Sequence, residues 1–226
     1  MLMGAMANVL FVDTETSGLI QNDTVPSLYC AVVTSDTGIK TYYSGDPIMT
    51  EEDTDRLAAQ LCQADRVYTF NGASFDLRVI AAHASPQLAT QVALLALSEK
   101  HIDVLYDFAS RAGYFAALSS FSTDQNPKSM TGAEASAKWL NVLERPNVLE
   151  YCAHDNDMLR AVVRCVHDYG RYERVSKSGR GMTQIVSDFK LRDALESYEN
   201  HTKLDVSWMN DPPDLSDGFV WALSIA

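Results

Sequence analysis

Asn8-Val9-Leu10-Phe11-Val12-Asp13-Thr14-Glu15-Thr16 runs an apolar segment directly into two carboxylates. Asn8 to Val12 reads as a short strand. Side chains two apart on a strand project from the same face, so Asp13 and Glu15 stand side by side. Like charges in that arrangement repel unless a cation bridges them. The pair reads either as a metal site or as acids that merely cap a strand.

The neighbouring segments decide what kind of sheet this strand joins. Ser27 to Ser35 is rich in Tyr, Val, Ala and Cys, Asp36-Thr37-Gly38 is a turn signal, and Ile39 to Tyr43 alternates. These predict a second and a third strand joined as a hairpin. Thr50, followed by Glu51, Glu52 and Asp53, is a helix start that runs to about Cys62. Arg66 to Phe70 is a fourth strand, Ser74 to His83 and Pro86 to Leu97 are helices, and Ile102 to Leu105 is a fifth strand. Asp107 to Ala112 begins another helix, and residues 119 to 131 read as a loop. Thr131-Gly132-Ala133-Glu134 opens a helix with a capping box. Asn147 to about Tyr169 is the longest helix, with Leu149, Cys152, Asn156, Leu159, Val163 and Val166 as its buried stripe. Beyond Ser176 regularity is lost, and Trp208, Pro212, Pro213, Phe219 and Trp221 form an apolar tail expected to pack on the main body. This order predicts an α/β domain with a mixed sheet and helices on both faces. The hairpin excludes a purely parallel sheet.

Two further motifs carry acids. In Asn71-Gly72-Ala73-Ser74-Phe75-Asp76, a strand ends, a Gly-containing loop follows and a helix begins. Asp76 falls in the first turn, where the helix dipole favours its charged form. Asn71 could fix the loop or contact a nucleotide. In Leu149-Glu150-Tyr151-Cys152-Ala153-His154-Asp155, Tyr151 and Asp155 are four apart and share a helix face. An Asp there could hold a metal, and a Tyr one turn earlier could orient or help deprotonate a water that attacks phosphorus. His154 lies elsewhere on the helix and is a weak candidate. Each motif alone has an ordinary structural reading. Together they supply four carboxylates and a phenol, the kit for two-metal phosphodiester cleavage.

Composition bounds the rest. With 226 residues and 46% hydrophobic content the chain suits one globular domain with a proper core. A net charge of −12 argues against nucleic-acid binding if taken alone. The distribution softens this: eight of the 18 Lys and Arg fall between Arg160 and Arg192, as a solvated helix face or as a patch that tracks a phosphate backbone. Cys30, Cys62, Cys152 and Cys165 show no zinc spacing or disulfide framework and read as reduced, buried small hydrophobes. The N-terminal Met1 to Asn8 lacks the pattern of a signal peptide, and no stretch approaches a membrane span. The expectation is a soluble, cytoplasmic protein.

The ordered set Asp-x-Glu, Asn-x-x-x-Phe-Asp and Tyr-x-x-x-Asp resembles the DEDD (DnaQ-like) 3′–5′ exonucleases, which have the ribonuclease H-like fold. It is most similar to the proofreading exonuclease domain of family-B DNA polymerases. The third motif matches the tyrosine (DEDDy) branch, because the other branch has His five residues before the Asp and position 150 here is Glu. The resemblance covers about residues 8 to 170, and Leu204 to Met209 looks like a tail of stand-alone members. It implies a three-layer α/β/α fold with a mixed five-stranded sheet. It implies one exonuclease domain over 1–226, with a core of about 8–170 and an extension of about 171–226 packed on it. By the same resemblance Asp13, Glu15, Asp76 and Asp155 would hold two Mg²⁺ or Mn²⁺ ions, and Tyr151 would orient the water. Thr14, Thr16 and Ser17 would line the terminal nucleotide, and Asn71 and Phe75 would support the strand. Asp103 is expected to be structural. The implied substrate is the 3′ end of a single-stranded nucleic acid, DNA rather than RNA, in the setting of a separate polymerase or repair protein. An RNA-trimming enzyme and a non-catalytic nucleic-acid-binding module remain alternatives on the same fold.

Overall fold

The computed structural model describes residues 7–121, 129–175, 181–190 and 219–226. Five strands form one mixed sheet: β1 (Val9–Thr16), β2 (Leu28–Ser35), β3 (Lys40–Ser44), β4 (Arg66–Thr69) and β5 (His101–Asp103). Their order is β3-β2-β1-β4-β5. β2 runs antiparallel to both β1 and β3, while β4 and β5 are parallel extensions from β1. This is the expected mixed five-stranded sheet. β1 is therefore central, and the strand that carries the acids is the one with neighbours on both sides.

Two layers of helices cover the sheet. Leu10, Val12, Ala31 and Val33 pack against α1 (Glu51–Cys62), α2 (Asp76–His83) and α3 (Pro86–Leu97). Phe11, Tyr68 and Ile102 pack against α4 (Val104–Ala112) and α6 (Arg145–Tyr169). α5 (Gly132–Trp139) lies at one end, where Trp139 and Ala135 join Tyr29, Val148 and Tyr151. Leu10 and Phe11 face opposite layers because successive strand side chains alternate. Asp13 and Glu15 share the parity of Phe11.

Local chemistry explains several element ends. Thr50 and Asp53 form a reciprocal capping box on α1, and Thr131 and Glu134 do the same on α5. Pro146 occupies the first turn of α6, and Gly170 ends that helix in the left-handed region at φ 66°.

Four boundaries differ from expectation. β1 does not stop at Val12 but continues to Thr16, because Asp13, Thr14 and Glu15 keep pairing with Val32, Ala31 and Cys30. The register then shifts between Glu15 and Thr16, a bulge at the strand end that carries the acids. α2 begins at Asp76 rather than Ser74, since Phe75, at φ −124° and ψ −78°, is outside helical geometry and caps the helix. The fifth strand ends at Asp103 instead of continuing to Leu105. The Asp103 carboxylate accepts from the amides of Leu105 and Tyr106 and starts α4.

The fourth difference follows α6. β6 (Arg171–Val175) and β7 (Met182–Val186) form an antiparallel hairpin where irregular chain is expected. Only Tyr172 of its residues is fully buried, so the hydrophobic alternation that signals a strand is nearly absent. A final helix, α7 (Val220–Ile225), packs beside α3, with Trp221 and Ala222 buried in the same core. Trp208, Pro212, Pro213 and the segment Leu204 to Met209 lie outside the described residues.

Candidate functional site

Three elements meet at one cavity of about 580 Å³. β1 contributes Asp13 and Glu15, the first residue of α2 contributes Asp76, and α6 contributes Tyr151 and Asp155 one turn apart. Thr14, Thr16, Ser17, Asn71 and Phe75 also line the cavity. All ten residues singled out in the sequence are thus brought together. Gly18, Leu19 and Phe70 line it as well, with Gly132, Ala133 and Ser136 of α5. Nothing in the α5 sequence signals this position, because the packing of Trp139 on Tyr29 places the helix there.

Asp76 is the most constrained of the carboxylates. Its Oδ1 accepts from the Thr14 amide at 3.0 Å and from the Thr14 hydroxyl at 2.6 Å. This ties α2 to β1. Burial pushes the carboxyl up to about 7, against the Thr14 bonds, and the nearby Asp103 charge adds to the rise. Burial also holds Asp13 well above the usual carboxylate range, reinforced by the charges of Asp76, Glu15 and Asp155. The Tyr151 phenol is raised too, first by burial and then by Asp155, Glu15 and Asp13.

The loop before Asp76 is positioned from below. Asp103 takes the amide of Asn71 at 3.0 Å and that of Ala73 at 2.7 Å. The Asn71 side-chain oxygen accepts from the Ser74 hydroxyl at 2.7 Å. Asp103 is fully buried behind the loop and does not line the cavity, so it acts on the loop backbone. It stands at the end of its strand, not at the start.

The carboxylates suit a hard divalent cation. Ligating atoms of Asp13, Glu15 and Cys152 lie within 4.8 Å of one another. Asp13 Oδ2 is buried with no hydrogen-bond partner among the described residues, which a cation would satisfy. Burial raises the Cys152 thiol, which donates to the Asp13 carbonyl at 3.2 Å. The carboxylate oxygens are therefore the hard donors of the group.

Basic residues are elsewhere. No Lys or Arg is among the described residues that line the cavity. In the 160–192 stretch, Arg164 contacts the Asp36 carbonyl at 2.6 Å, Arg171 pairs with Glu173 at 2.8 Å and Arg160 pairs with Asp157 at 3.5 Å. Arg174 lies over the Tyr114 ring. These contacts favour the solvated-face reading for the described part of the stretch. Lys177, Arg180 and Arg192 lie outside it. His154 does not line the cavity, and its buried Nε2 makes no hydrogen bond among the described residues.

The family model of the RNase_H superfamily matches residues 10–162, which contain every acid of the site. The protein belongs to the ribonuclease H superfamily. As in the ribonuclease H-like fold expected from the sequence, the acids of this member gather on the central strand and the helices beside it. The chain is also similar in structure to the family B DNA polymerase from the hyperthermophilic archaeon Pyrobaculum calidifontis, with a TM-score of 0.51 at 11% identity. The match covers 73% of this chain and 24% of the polymerase chain, and at that identity it is a likeness of fold. No curated protein matches the sequence. Among the described residues, no helix is long and apolar enough to cross a membrane.

Proposed function

We propose that this ribonuclease H-like nuclease is a 3′–5′ exonuclease of the tyrosine (DEDDy) branch. In this reading it is one domain over residues 1–226 and removes nucleotides from a single-stranded 3′ end, DNA in preference to RNA. The observation that carries the proposal is the convergence of Asp13, Glu15, Asp76, Asp155 and Tyr151 on one cavity from three separate elements. The likeness to a family B DNA polymerase over a quarter of its length supports the same direction.

Asp13, Glu15, Asp76 and Asp155 would hold two Mg²⁺ or Mn²⁺ ions. Bound there, the ions supply an activated water and neutralise charge on the departing 3′ oxygen. The chain's own contribution is positioning. Thr14 fixes Asp76 by two bonds, and the Asp103-held loop fixes its backbone. Without a cation, burial and the charges of Asp155, Glu15 and Asp13 raise the Tyr151 phenol. One turn from Asp155, the phenol would orient the attacking water by hydrogen bonding. Thr16, Ser17, Asn71 and Phe75 line the same cavity and would hold the terminal nucleotides. With no Lys or Arg among the described lining residues, bound ions would supply attraction for a phosphate at this cavity. This accommodates a strongly acidic chain acting on nucleic acid. A polymerase or repair protein that supplies the end would be a separate partner.

The test is digestion of 5′-labelled single-stranded DNA, and the matching RNA, with Mg²⁺ or Mn²⁺. A descending ladder from wild type, absent with EDTA and from Asp13→Ala/Glu15→Ala, is expected. Absence of any ladder on either substrate would leave the non-catalytic binding module as the better reading.

A further inference from the structure

The loop that delivers Asp76 is held from a direction the site chemistry does not require. Ala73 is fully buried, and both of its peptide groups are committed. Its N–H donates to Asp103. Its carbonyl accepts from the indole N–H of Trp221 at 2.7 Å, a bond spanning 148 residues of sequence. Trp221 belongs to the short α7 near the end of the chain, and its ring is buried in the α1–α3 core. Phe219, at the start of α7, sets its ring against Tyr106 at 5.8 Å and against His101 at 6.4 Å. His101 in turn bonds Thr69, whose side chain leaves no room for a Cβ at Gly72. The loop is thus enclosed between Asp103, Thr69 and Trp221, and Asp76 follows it directly.

We infer that Trp221 is a positioning residue for the carboxylate site. The indole holds the Ala73 carbonyl, the carbonyl fixes the Asn71–Ser74 loop, and the loop sets where the Asp76 carboxylate sits relative to Asp13. The inference rests on the proposed two-metal site and extends it to a helix outside the segment that carries the acids. A buried carbonyl that loses its donor must move toward another or remain unsatisfied. Groups that orient metal-binding residues in this way affect affinity even though they never touch the ion.

Trp221→Phe keeps a buried aromatic ring and removes the donor together with the pyrrole part of the indole. Three measurements are made on the full chain. The first is amide hydrogen exchange without metal, where the Phe70–Leu77 segment is expected to exchange faster while β2 and β3 are unchanged. The second is Mn²⁺ binding followed by electron paramagnetic resonance, where affinity is expected to fall about ten-fold. On labelled DNA the metal requirement should rise and kcat should fall, with little change in KM. Leu223→Ala, on the exposed side of the same helix, should match wild type in all of these. Unchanged exchange in the loop would overturn the inference. Faster exchange with wild-type Mn²⁺ affinity would also overturn it, since the indole would then be a packing residue only. If wild type itself binds no Mn²⁺, the two-metal reading fails and the inference fails with it. That outcome is told apart from the other two by the wild-type control.

Discussion

Thr14 and Asp76, 62 residues apart, are joined by two hydrogen bonds to a single carboxylate oxygen, 3.0 Å from the amide and 2.6 Å from the hydroxyl. One strand residue thereby locks the first residue of a helix against the sheet, with Asp13 and Glu15 on either side of the lock in sequence. The geometry is costly without a cation, because it buries acids near one another. That cost has a sign and a pH range.

Asp76 ionises at about 7 in the folded chain, against roughly 3.9 for an unfolded Asp. Between those values the folded state keeps a proton that the unfolded state has lost, so stability falls as pH rises. The contribution is fully present below about 4 and gone above about 7. Asp103, raised to about 6, acts in the same direction, while His101, lowered to about 4, acts oppositely as pH falls from about 6.5. Comparing wild type with Asp76→Asn removes this titration together with the repulsion that Asp76 exerts on Asp13. In EDTA the variant should gain on wild type from pH 5 to pH 8, reaching on the order of 2 kcal/mol. Urea unfolding at four pH values checks this, and a difference independent of pH would refute it. Mn²⁺ at pH 8 should stabilise wild type and leave Asp76→Asn nearly unmoved.

Asp103→Asn should behave in the opposite way. Asp103 is a buried acceptor for the amides of Asn71, Ala73 and Leu105. An Asn amide offers one oxygen and turns two donors toward groups that are themselves donors. The expected loss is about 2–4 kcal/mol at pH 5, with or without metal, and it should shrink toward pH 8 because Asp103, raised to about 6, ionises in wild type over that range. A thermal melt in EDTA and in Mn²⁺ distinguishes the two carboxylates. Stabilisation by Asp103→Asn in EDTA would mean that the cost of burying the Asp103 charge outweighs its hydrogen bonds.

What the sequence made legible follows from the range of the forces involved. Asp13 and Glu15 lie two apart on a strand, Tyr151 and Asp155 four apart on a helix, and Thr50 and Thr131 cap their helices, all of which are local relationships. Their convergence on one cavity came from family resemblance, since no local rule brings residues 13, 76 and 155 together. Leu19, Phe70 and Gly132 at the cavity wall have no such local signal. Nor does the Trp221 bond to Ala73. The buried surface of α6 extends beyond its sequence stripe. The helix faces the sheet through Cys152 and Asn156, α5 through Val148 and Tyr151, and β6 through Val166 and neighbours, so its buried surface is wider than one stripe. The β6–β7 hairpin has no strong sequence signal, because Tyr172 alone of its residues is fully buried and the rest are half-buried or exposed.

Tyr151→Phe separates water positioning from metal binding. The phenol is raised by burial and by three carboxylates. In the proposed reading, removing it would delete a hydrogen bond to the attacking water. Cleavage of single-stranded DNA should fall by about 10²-fold. Stabilisation by Mn²⁺ in a thermal melt should stay at the wild-type value. Loss of that stabilisation would place the phenol among the groups that hold the ion, and full activity would remove it from the reaction.

Gly72→Ala tests whether the loop before Asp76 tolerates any displacement. A Cβ at residue 72 would meet the Thr69 side chain at 2.4 Å from Cβ and 2.6 Å from Oγ1. Thr69 cannot turn away freely, because its hydroxyl bonds His101 Nε2 at 2.8 Å. The His101 ring is itself fixed, with Nδ1 donating to the Ala96 carbonyl at 3.3 Å. Nε2 is then the acceptor, and the Thr69 hydroxyl is its donor. Either the loop shifts or that bond breaks. The expected cost is about 1–3 kcal/mol of stability, typical of overpacking in a closed core. Because the loop leads directly into Asp76, weaker Mn²⁺ binding should accompany the loss. Ala73→Gly, at the next position, removes a buried methyl without a collision and should spare more of the Mn²⁺ affinity. Equal Mn²⁺ affinity in Gly72→Ala and wild type, measured well below the melting temperature of both, would show that the loop can move without carrying Asp76 with it.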